Sequence, residues 1–278
     1  MFVRVSALEV HDLARHGPAV VHPISVAEKP GTGALRLCID ANYTNIFEPY
    51  RPVTFELLQN VFPLLQRGDL VSASDLTKGY LHMRLHPSAR RFLAIRFDGV
   101  TYVFSALPFG LQSAVWAFSS VMRAMYLPMR MAGWRLSFMI DDALTLWRRM
   151  VDACLGASVF VRILCSLGCH LSLRKCRLGP NPAVRYEGMM LDLAQGAVLI
   201  PADKLQGFDD LVHSLITSDH FSRRQLARLA GLLVSFQCAV PLGRLFTHTL
   251  FGALTGVCDW DSLFTPSAEL REFLAWLL

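Results

Sequence analysis

Three aspartates stand where carboxylates are expensive. Asp75 follows the apolar run Leu70 to Ser74, and Asp141-Asp142 separates two others, Leu136 to Ile140 and Ala143 to Trp147. Acidic groups in such surroundings cost free energy unless something compensates them. One explanation is local: aspartate is a good turn former, and the pair could sit at a solvent-facing hairpin tip. The other is chemical. Phosphoryl transfer needs in-line positioning and neutralisation of charge on the attacking and leaving oxygens, with little covalent help from the protein. Two Mg²⁺ ions roughly 3.5–4 Å apart provide this. Magnesium takes hard oxygen ligands, usually a few carboxylates completed by substrate phosphates. One aspartate leaving a strand, beside a hairpin that carries two, supplies such a set, provided the fold makes the two strands neighbours.

The surrounding pattern gives elements able to do that. His22 to Val26 and Leu35 to Ile39 read as strands around a Pro/Gly-rich turn. Val53 to Leu65 reads as a helix, Leu70 to Ser74 as a strand, and the alternation at Leu81, Met83 and Leu85 as a half-buried strand. Asp98-Gly99 between Phe92–Phe97 and Val100–Phe104 is a two-residue hairpin signal. Ser113 to Tyr126 reads as a helix closed by Pro128, the aspartate pair as the tip of a second hairpin, and Val151 to Leu167 as a helix stopped by Gly168. Ser222 and Gln225 have the spacing of a capping box, with Leu226, Leu229, Ala230 and Leu233 on one helical face. Strands and hairpins followed by helices alone make an α+β pattern, a mainly antiparallel sheet with a helical appendage. Met1 to Val21 shows no strong period and reads as a loose lead-in.

Composition sets outer limits. Of 278 residues, 53% are hydrophobic and 18% charged, which supports a large core and excludes a disordered tail. The net charge of +5 is compatible with a phosphate-rich partner. The seven cysteines form no CxxC pair and no disulfide framework. Cys165, Cys169, His170 and Cys176 lack the ligand spacing of structural zinc and read as buried thiols. Gly99 to Met122 carries no charge, but Pro108, Gly110 and Gln112 interrupt it, so it reads as a turn and a buried helix and not as a membrane span. The setting expected is intracellular, in cytoplasm or nucleus, with no membrane partner.

Several motifs follow one another in order: KPGTGALRLCIDANYTN from Lys29, SASDLTKGYLHMRL around Asp75, LPFGLQSAVWAFSSVM from Leu107, FMIDDAL around the aspartate pair, then LSLRKCRL, VRYEGMMLD and SRRQLARLAGLL. Together they resemble the reverse transcriptases of long-terminal-repeat-like retroelements, most closely the DIRS-type retrotransposons that carry a tyrosine recombinase. The resemblance implies a right-hand polymerase fold of fingers, palm with antiparallel sheet, and helical thumb. Residues 1–21 would be lead-in, 22–200 fingers and palm, and 201–278 thumb and connection, with the RNase H domain absent. It implies an RNA-directed DNA polymerase that joins a dNTP to a primer 3′-hydroxyl on an RNA or DNA template.

In that resemblance Asp75, Asp141 and Asp142 hold two Mg²⁺ ions, with Mn²⁺ an alternative, and Lys175 serves as general acid for the pyrophosphate leaving group. Lys29 and Arg36 contact the incoming triphosphate. Leu76 and Gly110 lie at the nucleotide, Phe109 near the nascent base pair, and Tyr80 under the sugar, where its ring excludes a ribose 2′-hydroxyl. Three positions depart from the family pattern: Val115 in place of proline, Met139 in place of the tyrosine of the YxDD box, and Glu187 in place of an apolar residue of the primer grip. Arg174, Lys175, Arg177, Arg223, Arg224 and Arg228 are candidates for a basic wall along a primer–template duplex. The competing expectation is an inactive or domesticated fragment that binds nucleic acid without catalysis, and a downstream RNase H domain of a longer polyprotein is the expected neighbour.

Overall fold

The computed structural model describes residues 7–28, 33, 35–240, 242–256 and 259–278. Lys29 lies outside them, as does the side chain of Arg36. The chain divides into two compact units. The first comprises Met1–Glu56, Ser72–Leu146 and Val151–Gly179; the second comprises Leu57–Val71, Trp147–Met150 and Pro180–Leu278.

The first unit is built on turn chemistry. Asp98 and Gly99 take φ of 48° and 72°, the double positive φ of a type I′ turn, and Phe97 faces Val100 across it. This hairpin, Ala94–Phe97 with Val100–Phe104, forms the middle of a four-stranded sheet. Val21–His22 flanks it on one side, parallel to Ala94–Phe97, and Leu8–Val10 on the other, antiparallel to Val100–Phe104. The N-terminal stretch thus contains an edge strand too short for its period to register. A separate hairpin pairs Ile24–Glu28 with Leu35–Ile39, Ile24 opposite Ile39.

The second sheet has the spatial order Arg177–Asn181, Leu70–Asp75, Asp142–Trp147, Arg135–Met139. The helices Ala114–Met131 and Met150–Ser166 bury Phe118, Met122, Tyr126, Phe160 and Leu164 in one core with Leu136 and Phe138 of this sheet. The Tyr126 ring lies 5.0 Å from Phe138 and 5.9 Å from Phe160.

Three expectations need correction. The first of these helices runs through Pro128 to Met131. Its apolar face continues to Met129, buried at 4%, and a proline so near the end disturbs only the last turn. Val53 to Leu65 is mostly not helical: one α turn, Leu58–Val61, passes into a 3-10 turn at Phe62–Leu64. Pro63 removes an N–H that a longer helix would need. The alternation at Leu81 to Leu85 belongs to a 3-10 turn, Gly79–His82, followed by an isolated bridge of Arg84 to Ala106; over so few residues a period of two does not tell strand from tight turn.

In the second unit, Ala183–Tyr186, Met189–Asp192 and Ala197–Leu199 form an antiparallel sheet. Glu187 and Gly188 make its first turn with φ of 47° and 75°. The helices Ala202–Thr217, Arg223–Ser235, Gly243–Leu254 and Ala268–Trp276 enclose Val212, Leu215, Leu226, Leu229, Leu250 and Leu274. The expected capping box starts the second of them: Gln225 N–H donates to Ser222 Oγ at 3.3 Å, and Ser222 N–H to Gln225 Oε1 at 2.9 Å. Among the described residues no helix is long and apolar enough to cross a membrane.

Candidate active site

The two strands that carry the aspartates are neighbours in the second sheet. Asp75 ends the strand Leu70–Asp75, and Asp142 begins the strand Asp142–Trp147, opposite Met139. The hairpin turn is therefore Ile140-Asp141, with Asp142 one step down the strand and not at the tip. Ile140 takes φ of 54° and Asp141 is not in the positive region. A positive φ at the first central residue alone is the habit of a type II′ turn, where glycine is usual. A β-branched residue there stores strain, of order 1–3 kcal/mol. The turn is held from outside. Leu76 N–H donates to the Asp141 carbonyl at 3.1 Å, and a Cβ added to Gly79 would lie 2.9 Å from the Phe118 ring and 3.3 Å from Asp141 Cβ. Gly79 has no side chain because the aspartate turn and a core ring occupy the space.

The three carboxylates meet there. Burial, then the charges of Asp141 and Asp75, push the Asp142 carboxyl up to about 6, against the pull of Lys175. Asp75 Oδ2 accepts from Lys175 Nζ at 2.5 Å. Asp75 Oδ1 is buried with no hydrogen-bond partner. That hydrogen bond is the largest cause holding the Lys175 ammonium above its ordinary range, with the three carboxylates adding to it. Among the described residues, no group of three or more His, Cys, Asp and Glu side chains forms a ready-made metal cage. An unpartnered buried carboxylate oxygen beside a carboxyl that resists ionisation nevertheless fits a divalent cation, because hard oxygens and uncompensated negative charge are what it binds.

Of the residues expected at the nucleotide, Tyr80, Phe109, Leu76 and Gly110 lie in the described part. Tyr80 is 8% exposed, with its ring centroid 4.9 Å from Phe109 and 5.2 Å from Phe118. Burial and then the charge of Asp141 push its phenol up. Phe109 is 48% exposed, so one side of this aromatic pair is open. Leu76 is buried and acts through its backbone, on Asp141 and in a bridge to Leu171. Gly110 takes φ of 100°, and a Cβ there would stand 2.5 Å from the Ile39 carbonyl oxygen, so this close approach admits glycine alone.

Residues to which the resemblance assigns no role hold this arrangement. Asn45 donates to the Gly110 carbonyl at 3.0 Å and accepts from Gln112 N–H at 2.8 Å; Glu48 accepts from Ser113 N–H at 2.9 Å and from Ser113 Oγ at 3.0 Å. Glu56 accepts from Arg130 at 2.6 Å, Ser137 at 3.0 Å and Phe138 N–H at 3.2 Å, fixing the strand that leads into the aspartate turn. Burial opposes ionisation of Glu56, but these bonds outweigh it and its carboxyl is lowered. Asn45 ends the first motif without a role assigned to it, and Glu48 and Glu56 lie outside the motifs; the signal available was a polar side chain set within an otherwise apolar or turn-rich stretch. Cys176 serves Asp75 also, its Sγ accepting from Asp75 N–H at 3.4 Å.

Two departures have local explanations. Val115 packs against the core within its helix. In the second unit, Glu187 Oε2 accepts Leu58 N–H at 2.9 Å and so caps the helical turn Leu58–Val61. Two members of the expected basic wall make bonds within their own unit. Arg224 pairs with Asp261 at 2.6 and 2.8 Å, while Arg223 donates to the Ala253 carbonyl and lies over the Phe264 ring.

No family model matches the sequence. Among curated proteins the chain is similar to the genome polyprotein of Petunia vein clearing virus, in two isolates, at 25% identity over 222 residues, 75% of this chain and 9% of the polyprotein. The chain thus corresponds to under a tenth of those relatives. Among solved structures, a foamy viral protease-reverse transcriptase in complex with double-stranded DNA matches with a TM-score of 0.80 and 17% identity over 99% of this chain and 45% of that one. The same kind of protein in complex with an RNA/DNA hybrid matches with a TM-score of 0.80 and 16% identity over 99% of this chain and 34% of that one. The chain has the α+β right-hand polymerase fold of these structures.

Proposed function

We propose that the chain is an RNA-directed DNA polymerase, transferring a nucleotidyl group from a dNTP to a primer 3′-hydroxyl on an RNA or DNA template. The observation that carries this is the meeting of Asp75, Asp141 and Asp142 at adjacent strand ends in this fold, with one buried carboxylate oxygen unpartnered. Two divalent cations, Mg²⁺ or Mn²⁺, held by these three residues would neutralise charge on the attacking and leaving oxygens. The chain's own groups do the rest. Lys175, kept protonated by Asp75, holds a proton at Nζ that it can give to a pyrophosphate leaving group. Phe109 and Tyr80 offer an aromatic surface to the base and sugar. The backbone at Gly110 comes close to Ile39 of the Leu35–Ile39 strand, and Arg36 of the same strand is proposed, on the sequence motif alone, as a contact of the triphosphate.

The chain's short share of its relatives supports its being one domain of a longer protein, with an RNase H domain as the proposed downstream neighbour. A DIRS-type origin is proposed on the sequence motifs alone; the matches to plant and foamy virus proteins favour reverse transcriptases in general. The proposed setting is intracellular, where template and dNTPs coexist.

Primer extension by the purified chain, with Mg²⁺, a poly-A template and an oligo-dT primer, tests the proposal. Wild type should extend, and Asp141→Asn should lose extension while binding the duplex nearly as before, since it loses stabilisation of the transition state and no phosphate contact. Binding without extension by wild type would transfer the chain to the second reading, a non-catalytic nucleic-acid-binding fragment.

A further inference from the structure

The first unit carries a concentration of positive charge on residues outside the aspartate site. The short helix Leu13–His16 and the segment Pro87 to Arg91 enclose a cavity of about 300 Å³, lined by Arg15, His16, Pro87, Ser88, Arg90 and Arg91. Gly17, at φ of 70°, lets the Arg91 guanidinium approach; a Cβ there would lie 3.5 Å from its Nη1.

His16 is the unusual member. Its side chain is 3% exposed. Its Nδ1 lies 2.9 Å from the Asp12 N–H and 3.1 Å from the Asp12 carbonyl oxygen; the shorter contact, with the N–H donating, assigns the proton of the neutral ring to Nε2. That Nε2 is buried and has no hydrogen-bond partner. Glu9 Oε2 stands 3.8 Å away, beyond hydrogen-bond reach.

The acids nearby are already engaged. Both Glu9 oxygens accept from Arg90 at 2.9 Å, and Arg15 lies 3.7 Å from one of them. Asp12 gives its carboxylate to the N–H groups of Ala14 and Arg15. His11, whose ring is 5.6 Å from His16, is bonded to the Gly17 carbonyl at 2.8 Å. Arg15 and Arg90 thus share the Glu9 carboxylate, and Arg91 adds a third guanidinium to the lining, beside a buried nitrogen without a hydrogen-bond partner. Such a cavity offers hydrogen-bond donors in excess and a net positive charge, the complement of a multiply charged oxyanion. Arg15, with 66% of its side chain exposed, leaves it open to solvent.

We propose that this cavity binds a phosphate group, with Arg15, Arg91 and the His16 Nε2–H as donors and Arg90 held in place by Glu9. The ligand is either a phosphodiester of a nucleic-acid strand or a small free phosphate. The site is independent of polymerase activity, so it can stand or fall without the reading above.

The test uses the full chain in EDTA, which keeps cation-dependent binding at the aspartates silent. Inorganic phosphate and a single-stranded oligodeoxynucleotide are titrated separately by calorimetry, and the His16 ring nitrogens are followed by NMR. Saturable phosphate binding that moves the His16 signals is expected. Arg15→Gln with Arg91→Gln should weaken it about tenfold or more, a loss of about 1.4 kcal/mol at tenfold. Arg15→Gln alone, on the more exposed arginine, provides a variant that keeps the fold, and it should show a smaller loss in the same direction. Competition by the oligonucleotide identifies a strand phosphate as the ligand, and its absence identifies a free one; each supports the site. Unchanged affinity in both variants, or saturable binding of neither probe by wild type, overturns it.

Discussion

At the scale of single residues, the aspartates make a pH-dependent statement. Asp142 has a folded-state value of about 6 against an ordinary 3.8. Between these values the folded chain holds a proton that the unfolded chain has lost, so this group's contribution is fully present below the unfolded value and is lost as pH rises through the folded one. Asp142→Asn removes the like-charge crowding. It should raise Tm at pH above the window in metal-free buffer, with the gain disappearing below about pH 4. Mg²⁺ should stabilise wild type and have much less effect on the variant; thermal melts across pH, with and without the cation, read both. Tyr80 makes a different statement. The structure puts it against Phe109 and near Asp141 as well as in the core, so Tyr80→Ala should cost stability and also admit ribonucleotides. The measurement is the ratio of ribo- to deoxynucleotide incorporation in a variant shown to fold by thermal melt. A clash excludes a group more strongly than a lost contact does, so the ratio should rise by more than deoxynucleotide incorporation falls; an unchanged ratio leaves Tyr80 a packing residue only.

At the scale of elements, what was legible in the sequence was whatever short-range chemistry decides. Asp98-Gly99 has one good backbone solution, and Ser222 with Gln225 caps its own helix, so both elements form where their residues predict. What was missed includes residues whose work is set by partners remote in sequence. Pro63 cuts the helix of the Val53–Leu65 stretch short, but Glu56 within that stretch bonds to Arg130, Ser137 and Phe138, and no window around residue 56 contains those partners. Asn45 and Glu48 were missed for the same reason, since what they hold is the turn at Gly110 to Ser113. Glu56→Gln should therefore loosen the strand before the aspartate turn. The lowered carboxyl of Glu56 stabilises above its ordinary range and ceases to do so as pH falls through its folded value. Chemical denaturation should find the variant about 1–2 kcal/mol less stable near neutral pH, with the deficit closing in acid. Gly79→Ala tests the next support, because its Cβ would press on the Phe118 ring and on Asp141 Cβ. Overpacking of that kind costs about 1–3 kcal/mol, and extension should fall further than stability alone explains.

At the scale of the whole molecule, the ordered motifs made the fold and the meeting of the aspartates readable, while the surface proposed to meet a duplex was not readable from counts of basic residues. A net charge of +5 names a possible partner but not the side chains that meet it. Arg224 and Arg223 were plausible duplex contacts by position, yet the first is bonded twice to Asp261 and the second to the Ala253 carbonyl. An arginine held in this way serves its own unit before it serves a ligand. Arg174 is exposed, and it stands next to Lys175 on the segment that reaches Asp75. The two arginines should therefore separate in a salt titration of primer–template binding. Affinity of wild type should fall steeply and linearly in log–log terms, because each phosphate contact releases condensed counterions. Arg174→Gln should reduce the slope by about one contact's worth and weaken binding alike on unrelated sequences. Arg224→Gln should leave the slope unchanged and instead lower the thermal stability slightly, as the loss of an exposed ion pair does. If Arg224→Gln changed the slope and Arg174→Gln did not, the second-unit arginine would be the duplex contact, and its bond to Asp261 would be one that nucleic acid displaces.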